Sequence, residues 1–283
     1  MKHNNSYKLW SLLKRDVTYI LGASCSDGVV LVSDTKVTIE EGADYTYSKK
    51  ITAPLNTVIM GAAGIGGLYK DFQNRIVTAV VKMEREREDP SIPTITNEEE
   101  FSVLVNKVIR DMHADYAEDR HLIINNLMII CATRIGSGKA QLTTFNPYGF
   151  PEPVNTIRAI GHGEPYGSLF LKKMWNPSMN MEQTAKLGLF IIKFIQDMRL
   201  DNSVGFSDEL LPQVIYIPDI KVPTGFGLAN YKTQEAYELE VSKLFEKYPI
   251  RELGEEEIKH FINEVSSKIS DFENLFKTGQ FKI

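Results

Sequence analysis

Hydrophobic residues recur with two different periods along this chain, and the order of those periods restricts the folds it can adopt. Stretches that alternate, or that run through β-branched residues, predict strands, whereas stripes with a period of 3.6 predict amphipathic helices. The predicted order is strands at residues 18–24, 29–34, 50–53 and 57–62, helices at 68–85 and 98–116, strands at 127–133, 140–145 and 156–160, helices at 166–174 and 181–200, and a strand at 214–217. Strands interrupted twice by a pair of helices predict an α+β fold in which packed sheets are covered by helix pairs.

Short motifs predict the turns between these strands. Asp27-Gly28 lies between the first two, where glycine supplies the positive φ of a tight hairpin. The sequence Pro-Leu-Asn at residues 54–56 predicts the next turn. Residues 136–139, Gly-Ser-Gly-Lys, are similar to the end of a phosphate-binding loop, but the earlier glycine of that motif is missing and a strand follows where a helix should begin. We therefore predict a hairpin turn there.

The composition argues against several classes of function. The chain has 32 basic and 37 acidic residues, a net charge of −5, and no basic cluster, so nucleic acid is not an expected partner. Both cysteines, Cys25 and Cys131, lie in apolar, strand-like surroundings and are expected to be buried free thiols. The five histidines lack the spacing of metal ligands, and we expect neither a metal nor a cofactor.

The segment before the first strand, residues 1–17, has no continuous apolar run of signal-peptide length. The longest apolar stretch elsewhere, residues 187–195, is interrupted by Lys193 and is too short to span a bilayer. We therefore expect a cytoplasmic protein without a membrane segment. Its expected organisation is a leader or propeptide at 1–17, a domain at 18–217, and a linker with a helical C-terminal extension at 218–283.

Three residues stand at equal intervals at the start of the domain. Thr18, Asp34 and Lys50 are separated by 16 residues each, and a glycine-rich run follows at residues 61–67. An N-terminal threonine hydrolase needs such groups, namely a nucleophile, a lysine held by a carboxylate, and backbone N–H groups that an oxyanion can approach. The glycine run does not match the dinucleotide-binding fingerprint.

Residues 18–217 resemble the proteasome-type subunits, a family of ring-forming threonine proteases that includes proteasome beta subunits and the bacterial protease HslV. The similar segments are Thr18-Tyr-Ile-Leu-Gly22, Ser26-Asp-Gly-Val-Val-Leu31, Ser33-Asp-Thr-Lys36, Lys49-Lys-Ile51, Ala63-Gly64 and Ala159-Ile-Gly-His-Gly163. The family positions between Thr18 and Gly64 are reached without any insertion. The resemblance implies a four-layer αββα sandwich of the N-terminal nucleophile (Ntn) hydrolase type.

The resemblance also implies a catalytic role for five residues. Thr18 would be the nucleophile, its own α-amine would be the base, and Lys50 would favour the deprotonated forms while Asp34 holds the lysine. The N–H group of Gly64 would bind the oxyanion, and Asp201 would support the nucleophile. The implied reaction is hydrolysis of a peptide bond through an acyl-enzyme, after residues 1–17 have been removed. An amine that replaced water would make the reaction a transpeptidation.

Three positions depart from the family pattern. Val17 stands before the threonine where glycine is typical, and His162 replaces a serine between two glycines. Val204 occupies the place of a second serine, with Ser203 one residue earlier and Asp201 in its usual place. The two serines normally help to hold the nucleophile, so His162 and Ser203 are candidate substitutes.

The family positions that line the specificity pocket fall on Val37, Ala62 and Gly66. All three are small or medium in size. We therefore expect a roomy, mostly apolar pocket that accepts large hydrophobic residues.

The implied partners are a peptide or unfolded protein substrate, identical or related subunits in a ring, and an ATPase. The alternative is a non-catalytic ring or scaffold subunit in which the leader caps Thr18 permanently. The resemblance does not extend to residues 218–283, whose helical apolar stripes fit packing on the core, ring contacts or binding of a partner.

Overall fold

The computed structural model describes residues 15–16, 18–39, 44–86, 95, 97–135, 138–221 and 233–277. In chain order its strands are β1 (Arg15–Asp16), β2 (Ile20–Cys25), β3 (Gly28–Ser33), β4 (Lys36–Ile39), β5 (Asp44–Tyr47), β6 (Ile51–Leu55), β7 (Val58–Ile65), β8 (Leu127–Thr133), β9 (Gln141–Phe145), β10 (Pro151–Val154), β11 (Ile157–Ile160), β12 (Gln213–Pro218) and β13 (Arg251–Glu252). Its helices are α1 (Gly66–Glu86), α2 (Glu98–Asp115), α3 (Arg120–Asn126), α4 (Glu164–Met174), α5 (Met181–Asp197), α6 (Gln234–Lys247) and α7 (Glu255–Lys277).

The strands form two large antiparallel sheets and one hairpin. Sheet I has the order β1–β7–β8–β9–β10, with β6 also paired to β7. Sheet II has the order β11–β2–β3–β12–β13, and β4 pairs with β5 as a separate hairpin. Since β8 takes one edge of β7, β6 and β1 pair one after the other with the opposite edge. The residues of β7 with which β1 and β6 pair determine which backbone groups lie beside the candidate site.

Apolar side chains from alternate positions of the strands form three layers of core. One layer lies between the sheets and includes Ile20, Leu31 and Ile130. A second joins sheet I to α1 and α2, and a third joins sheet II to α4, α5 and α7. The predicted four-layer αββα sandwich, an α+β fold, is confirmed.

Local sequence signals start the helices on the outer faces. The Asn97 side chain accepts a hydrogen bond from the Glu100 N–H at 2.9 Å and caps α2. Asn180 and Gln183 form a reciprocal capping box at the start of α5. Both caps satisfy N–H groups that lack intrahelical partners.

The predicted elements agree with the structure except in a few places. The turn expected at residues 54–56 is wrong, because Pro54 and Leu55 belong to β6 and the turn is Asn56-Thr57. Proline fits there because, among the described residues, β6 pairs with β7 alone, and because its register shifts between Thr52 and Leu55. The short strands β4, β5, β10 and β13 are not among the predicted elements.

Two other expectations meet the limits of the described residues. The antiparallel pairing of Thr133 with Gln141 makes β8 and β9 a hairpin, while residues 136–137 of its predicted turn lie outside the described part of the chain. Of the leader, only Arg15 and Asp16 are described.

The C-terminal extension contributes to the same core as sheet II. β13 pairs with β12, and Ile258, Phe261 and Ile262 of α7 are buried in the layer that also contains α5. In the residues that the structure describes, no helix combines the length and the apolar character needed to cross a membrane.

Gly28 offers a test of the hairpin between β2 and β3. Its φ is +152°, and a β-carbon there would lie 2.3 Å from the Ile217 carbonyl oxygen and 2.7 Å from the Pro218 Cα. Because backbone atoms cannot move aside as a side chain can, we expect Gly28→Ala to lower the free energy of unfolding by about 2–4 kcal/mol in urea denaturation.

Gly254→Ala is the control for this measurement. A β-carbon at that position would meet only the Glu257 Oε2 atom, at 3.7 Å, and the expected loss is about 1 kcal/mol or less. Equal losses for the two variants would contradict the steric explanation.

Candidate active site

The ends of several strands meet at one end of the sandwich. Thr18 precedes β2, Asp34 follows β3, and Lys50 precedes β6. In sheet II, Ile20 pairs with both Ser33 and Ile160, which brings the loops after β3 and β11 beside Thr18. Residues far apart in the sequence therefore share one site because antiparallel pairing aligns the strand ends.

A buried ion pair forms the centre of this site. The Lys50 Nζ atom lies 2.8 Å from the Asp34 Oδ1 atom, and their side chains are 3% and 0% exposed. Lys50 Nζ also donates a hydrogen bond to the Lys36 carbonyl oxygen at 2.5 Å. Buried charges are stable only when they are paired and hydrogen-bonded, and both conditions are met here.

Backbone N–H groups complete the shell of the Asp34 carboxylate. Tyr19 N donates to Oδ1 at 2.9 Å, and Gly205 N donates to Oδ2 at 3.2 Å. Burial raises the pKa of the Asp34 carboxyl, while the Lys50 ammonium and these two N–H groups act in the opposite direction. The carboxylate thus fixes Lys50, the residue after Thr18, and the 201–205 loop relative to one another.

Thr18 is buried against a glycine cradle. It is 1% exposed, and its carbonyl oxygen accepts a hydrogen bond from Gly163 N at 3.4 Å. Gly161 has a φ of +97°, and a β-carbon at that position would lie 2.0 Å from the Thr18 carbonyl oxygen. Only glycine permits this close approach, which explains Gly161, while a β-carbon on Gly163 would crowd Val204 and Tyr19 instead.

The described part of the leader lies along sheet I. Arg15 pairs with Ile65 and Asp16 pairs with Gly64, so β1 covers the edge of β7 at the proposed oxyanion residue. β1 also contacts β4, which carries Val37. The strand β1 (Arg15–Asp16) is therefore extended, paired with β7 and in contact with β4, while Val17 itself lies outside the described residues.

The loop that carries Asp201 closes the site from sheet II. Ser203 donates hydrogen bonds to Asp201 Oδ1 from its backbone N, at 2.9 Å, and from its hydroxyl. His162 Nδ1 lies 3.8 Å from Asp201 Oδ2, and the His162 side chain is 72% exposed. Val204 is 1% exposed and packs so closely that a β-carbon on Gly163 would lie 2.9 Å from its Cγ2 atom.

The three predicted pocket residues lie on three different elements. Val37 on β4 is 8% exposed. Ala62 on β7 is buried in the core beneath α1, and Gly66 is the first residue of α1. The structure thus places Asp34 in contact with Lys50 and with the residue after Thr18, and it places the three predicted pocket residues on β4, β7 and the start of α1.

Sequence reasoning missed several residues that hold the site. Gly205 donates to Asp34, and its carbonyl oxygen accepts from the N–H groups of Thr35, at 3.1 Å, and Lys36, at 2.9 Å. The Tyr69 hydroxyl donates to the Lys50 carbonyl oxygen at 2.5 Å. Gln213, whose side chain accepts a hydrogen bond from Lys50 N, was also missed. Its sequence signal was a polar residue at the start of an otherwise apolar strand.

The described residues contain no group of three or more histidine, cysteine, aspartate or glutamate side chains placed to bind a metal ion.

Comparison with known proteins agrees with this geometry. A sequence model of the family described as "Proteasome subunit" matches residues 17–206, more than half of the chain. The chain belongs to the proteasome subunit family. The match begins one residue before Thr18 and includes the Asp34–Lys50 pair and the 201–205 loop of this proteasome-family chain. No curated protein sequence matches it.

Solved structures of Anbu proteins share the fold of this proteasome-family chain. Anbu (ancestral beta-subunit) from Yersinia bercovieri is 16% identical with a TM-score of 0.64, and the match covers 94% of this chain and 98% of that one. Anbu from Hyphomicrobium sp. strain MC1 is 16% identical with a TM-score of 0.59, covering 90% and 97%. Both matches extend into the C-terminal extension.

The strength of the buried ion pair can be measured with a double-mutant cycle. Asp34→Asn or Lys50→Met alone leaves a buried charge without its partner, and each is expected to cost about 3–5 kcal/mol of unfolding free energy. The double variant should lose less than the sum, with a coupling energy of about 1–3 kcal/mol in urea denaturation.

Glu86→Gln and Lys82→Met on α1 form the matched control cycle. Their side chains are 66% and 70% exposed and their charged atoms are 3.7 Å apart, so we expect a coupling energy below about 0.5 kcal/mol. A coupling at Asp34–Lys50 as small as the control would contradict the central role of the pair.

Proposed function

We propose that this chain is a proteasome-like threonine-type peptidase that hydrolyses peptide bonds through an acyl-enzyme on Thr18. The observation that carries the proposal is the buried Lys50–Asp34 pair, at 2.8 Å, whose carboxylate also binds the N–H group of the residue after Thr18. A positive charge is thereby held beside the backbone of a threonine. It would favour the neutral amine that a threonine nucleophile uses as its base.

Each remaining residue has a part in this proposal. Once residues 1–17 are removed, the Thr18 α-amine takes the hydroxyl proton while Oγ1 attacks the substrate carbonyl carbon, and the peptide C–N bond then breaks as the leaving amine receives that proton. Water hydrolyses the resulting ester and restores Thr18. The N–H group of Gly64, on the edge that β1 covers, is proposed to bind the oxyanion. Asp201, with Ser203 and His162 around it, is proposed to hold the amine in place of the absent serines.

The proposed substrate is a peptide or unfolded protein that lies extended where β1 now lies. Val37, Ala62 and Gly66 are proposed to border its specificity pocket. The pairing of β1 with Gly64 and Ile65 supports this, because an extended chain can use the same backbone groups. The family also suggests a cytoplasmic ring of identical or related subunits, with an ATPase as a further partner.

A non-catalytic ring or scaffold subunit is the second candidate. Two observations favour it, since β1 occupies the edge of β7 beside Gly64 and the buried Val204 fills the family's second serine position with an apolar side chain. In that case residues 1–17 stay attached and Thr18 has no free amine.

Intact-mass measurement of the purified protein separates the two candidates. The peptidase should lose the mass of residues 1–17, and Thr18→Ala should abolish this loss. Thr144→Ala, which removes a hydroxyl from β9 on the surface, is the control and should be processed normally.

The processed protein should then react with a peptide vinyl sulfone at Thr18, giving one added mass per chain on the N-terminal peptide. Lys50→Ala should slow this reaction by about a thousandfold or more, because groups that act together in a catalytic unit cannot be removed singly without losing most of the rate. A stable full-length chain that never reacts would support the scaffold subunit.

A further inference from the structure

Gln213 of sheet II lies in hydrogen-bond contact with the backbone of Lys50. It is the first residue of β12 and only 3% exposed, although its neighbours in the strand are apolar. Its backbone pairs with Ser33, the residue before Asp34. Gln213 therefore belongs to sheet II beside one partner of the ion pair, while its side chain extends to the strand that carries the other.

The Gln213 side chain binds the backbone at the start of β6. Its Oε1 atom accepts hydrogen bonds from Lys50 N at 2.6 Å and from Ile51 N at 2.9 Å. Its Nε2 atom donates to the Ile51 carbonyl oxygen at 3.2 Å. A single side chain thus binds three backbone groups at the start of β6, and buried backbone groups are costly to leave unpaired.

The C-terminal extension is connected to the same point. Gln213 Nε2 also lies 3.5 Å from Glu252 Oε1, and Lys49 Nζ donates to that oxygen at 2.8 Å. Glu252 belongs to β13, which joins sheet II through β12. The residues on both sides of the Lys49–Lys50 peptide bond are therefore tied, directly or through Gln213, to one carboxylate of the extension.

Ile51 of β6 and Ile215 of β12 are buried in the same core layer between the sheets, so side-chain packing also joins these elements. A cleft of about 540 Å³ separates β6 from β12 and β13, and its walls include Ile51, Gln213, Ile250 and Glu252. Gln213 lines this cleft, and its hydrogen bonds link the Lys50 and Ile51 backbone directly to sheet II.

We propose that Gln213 is a positioning residue for Lys50, and that Glu252 couples this position to the C-terminal extension. The catalytic part of the inference rests on the proposed peptidase function. Gln213 fixes the Lys50 main chain, Asp34 fixes its ammonium, and together they determine the distance from the positive charge to the Thr18 amine. An error of about 1 Å in such a distance can reduce a rate by about a hundredfold.

The first experiment measures amide hydrogen exchange in full-length protein carrying Gln213→Met. This variant keeps the length of the side chain and removes all of its hydrogen bonds. We expect exchange at the Lys50 and Ile51 amides to become at least about tenfold faster. Gln141→Met on the exposed face of β9 is the matched control and should leave exchange at these amides unchanged. Unchanged exchange in Gln213→Met would overturn the proposal.

The second experiment measures the rate of the vinyl sulfone reaction at Thr18 as a function of pH in wild type and in Gln213→Met, at a temperature where both proteins are folded. Gln213→Met should lower the rate by about 10- to 100-fold. It should also move the acid limb of the profile to higher pH. An α-amine such as that of Thr18 has an ordinary pKa of about 8, and this pKa rises when a neighbouring positive charge moves away. A merely less stable protein would not show this shift.

Glu252→Arg tests the coupling to the extension without altering a buried residue. It places a positive charge against Lys49 and removes the acceptor from Gln213, so we expect a fall of about three- to tenfold in the reaction rate. Glu256→Arg on α7, with a side chain 90% exposed, is the control and should have no effect. Equal rates for the two variants would overturn the coupling.

The results distinguish this inference from the proposed function. If wild-type protein with a free Thr18 amine does not react, the peptidase proposal fails, and the exchange data alone decide whether Gln213 positions Lys50. If wild type reacts and Gln213→Met reacts with the same rate and pH profile, the peptidase stands and the positioning role of Gln213 falls.

Discussion

The Asp34–Lys50 ion pair is the interaction on which the rest of the site depends. Taking a carboxylate and an ammonium out of water costs several kcal/mol for each ion, and the loss is offset only where partners surround both groups. Here the partners are the N–H groups of Tyr19 and Gly205 and the carbonyl oxygen of Lys36. The charge pair thus requires the start of β2, the 201–205 loop and the start of β4 to occupy fixed positions.

The surroundings of Thr18 contain groups that fit catalysis and groups that fit a capped subunit. The glycine cradle at Gly161 and Gly163 fixes the threonine carbonyl with a closeness that other residues would forbid. Against this, the extended leader strand uses the edge of β7 at Gly64. The strand β1 and a bound substrate would use β7 for the same physical reason. An exposed strand edge pairs with an extended chain, whether that chain belongs to the same protein or to a ligand.

The C-terminal extension is part of the domain's structure in a specific way. The α7 helix shares a hydrophobic core with α5, and β13 extends sheet II by one strand. Through Glu252 and Gln213, which line one cleft, the extension is connected by hydrogen bonds to the backbone of Lys50. Packing therefore anchors the extension, and hydrogen bonds transmit its position to the site.

The sequence by itself determined the order of the longer strands and helices, because hydrophobic periodicity is a local property of the chain. Its motifs also carried the family resemblance, which in turn implied the pairing of Asp34 with Lys50. It did not reveal Gln213, Gly205 or the Tyr69 hydroxyl as supports of the site. The sequence also placed a turn at residues 54–56, whereas Pro54 and Leu55 belong to β6. Proline is compatible with this strand because it lies at an edge, which the sequence does not show. Only the tertiary structure decided these features, because hydrogen bonds such as that from Lys50 N to Gln213, 163 residues apart, depend on how the two sheets pack.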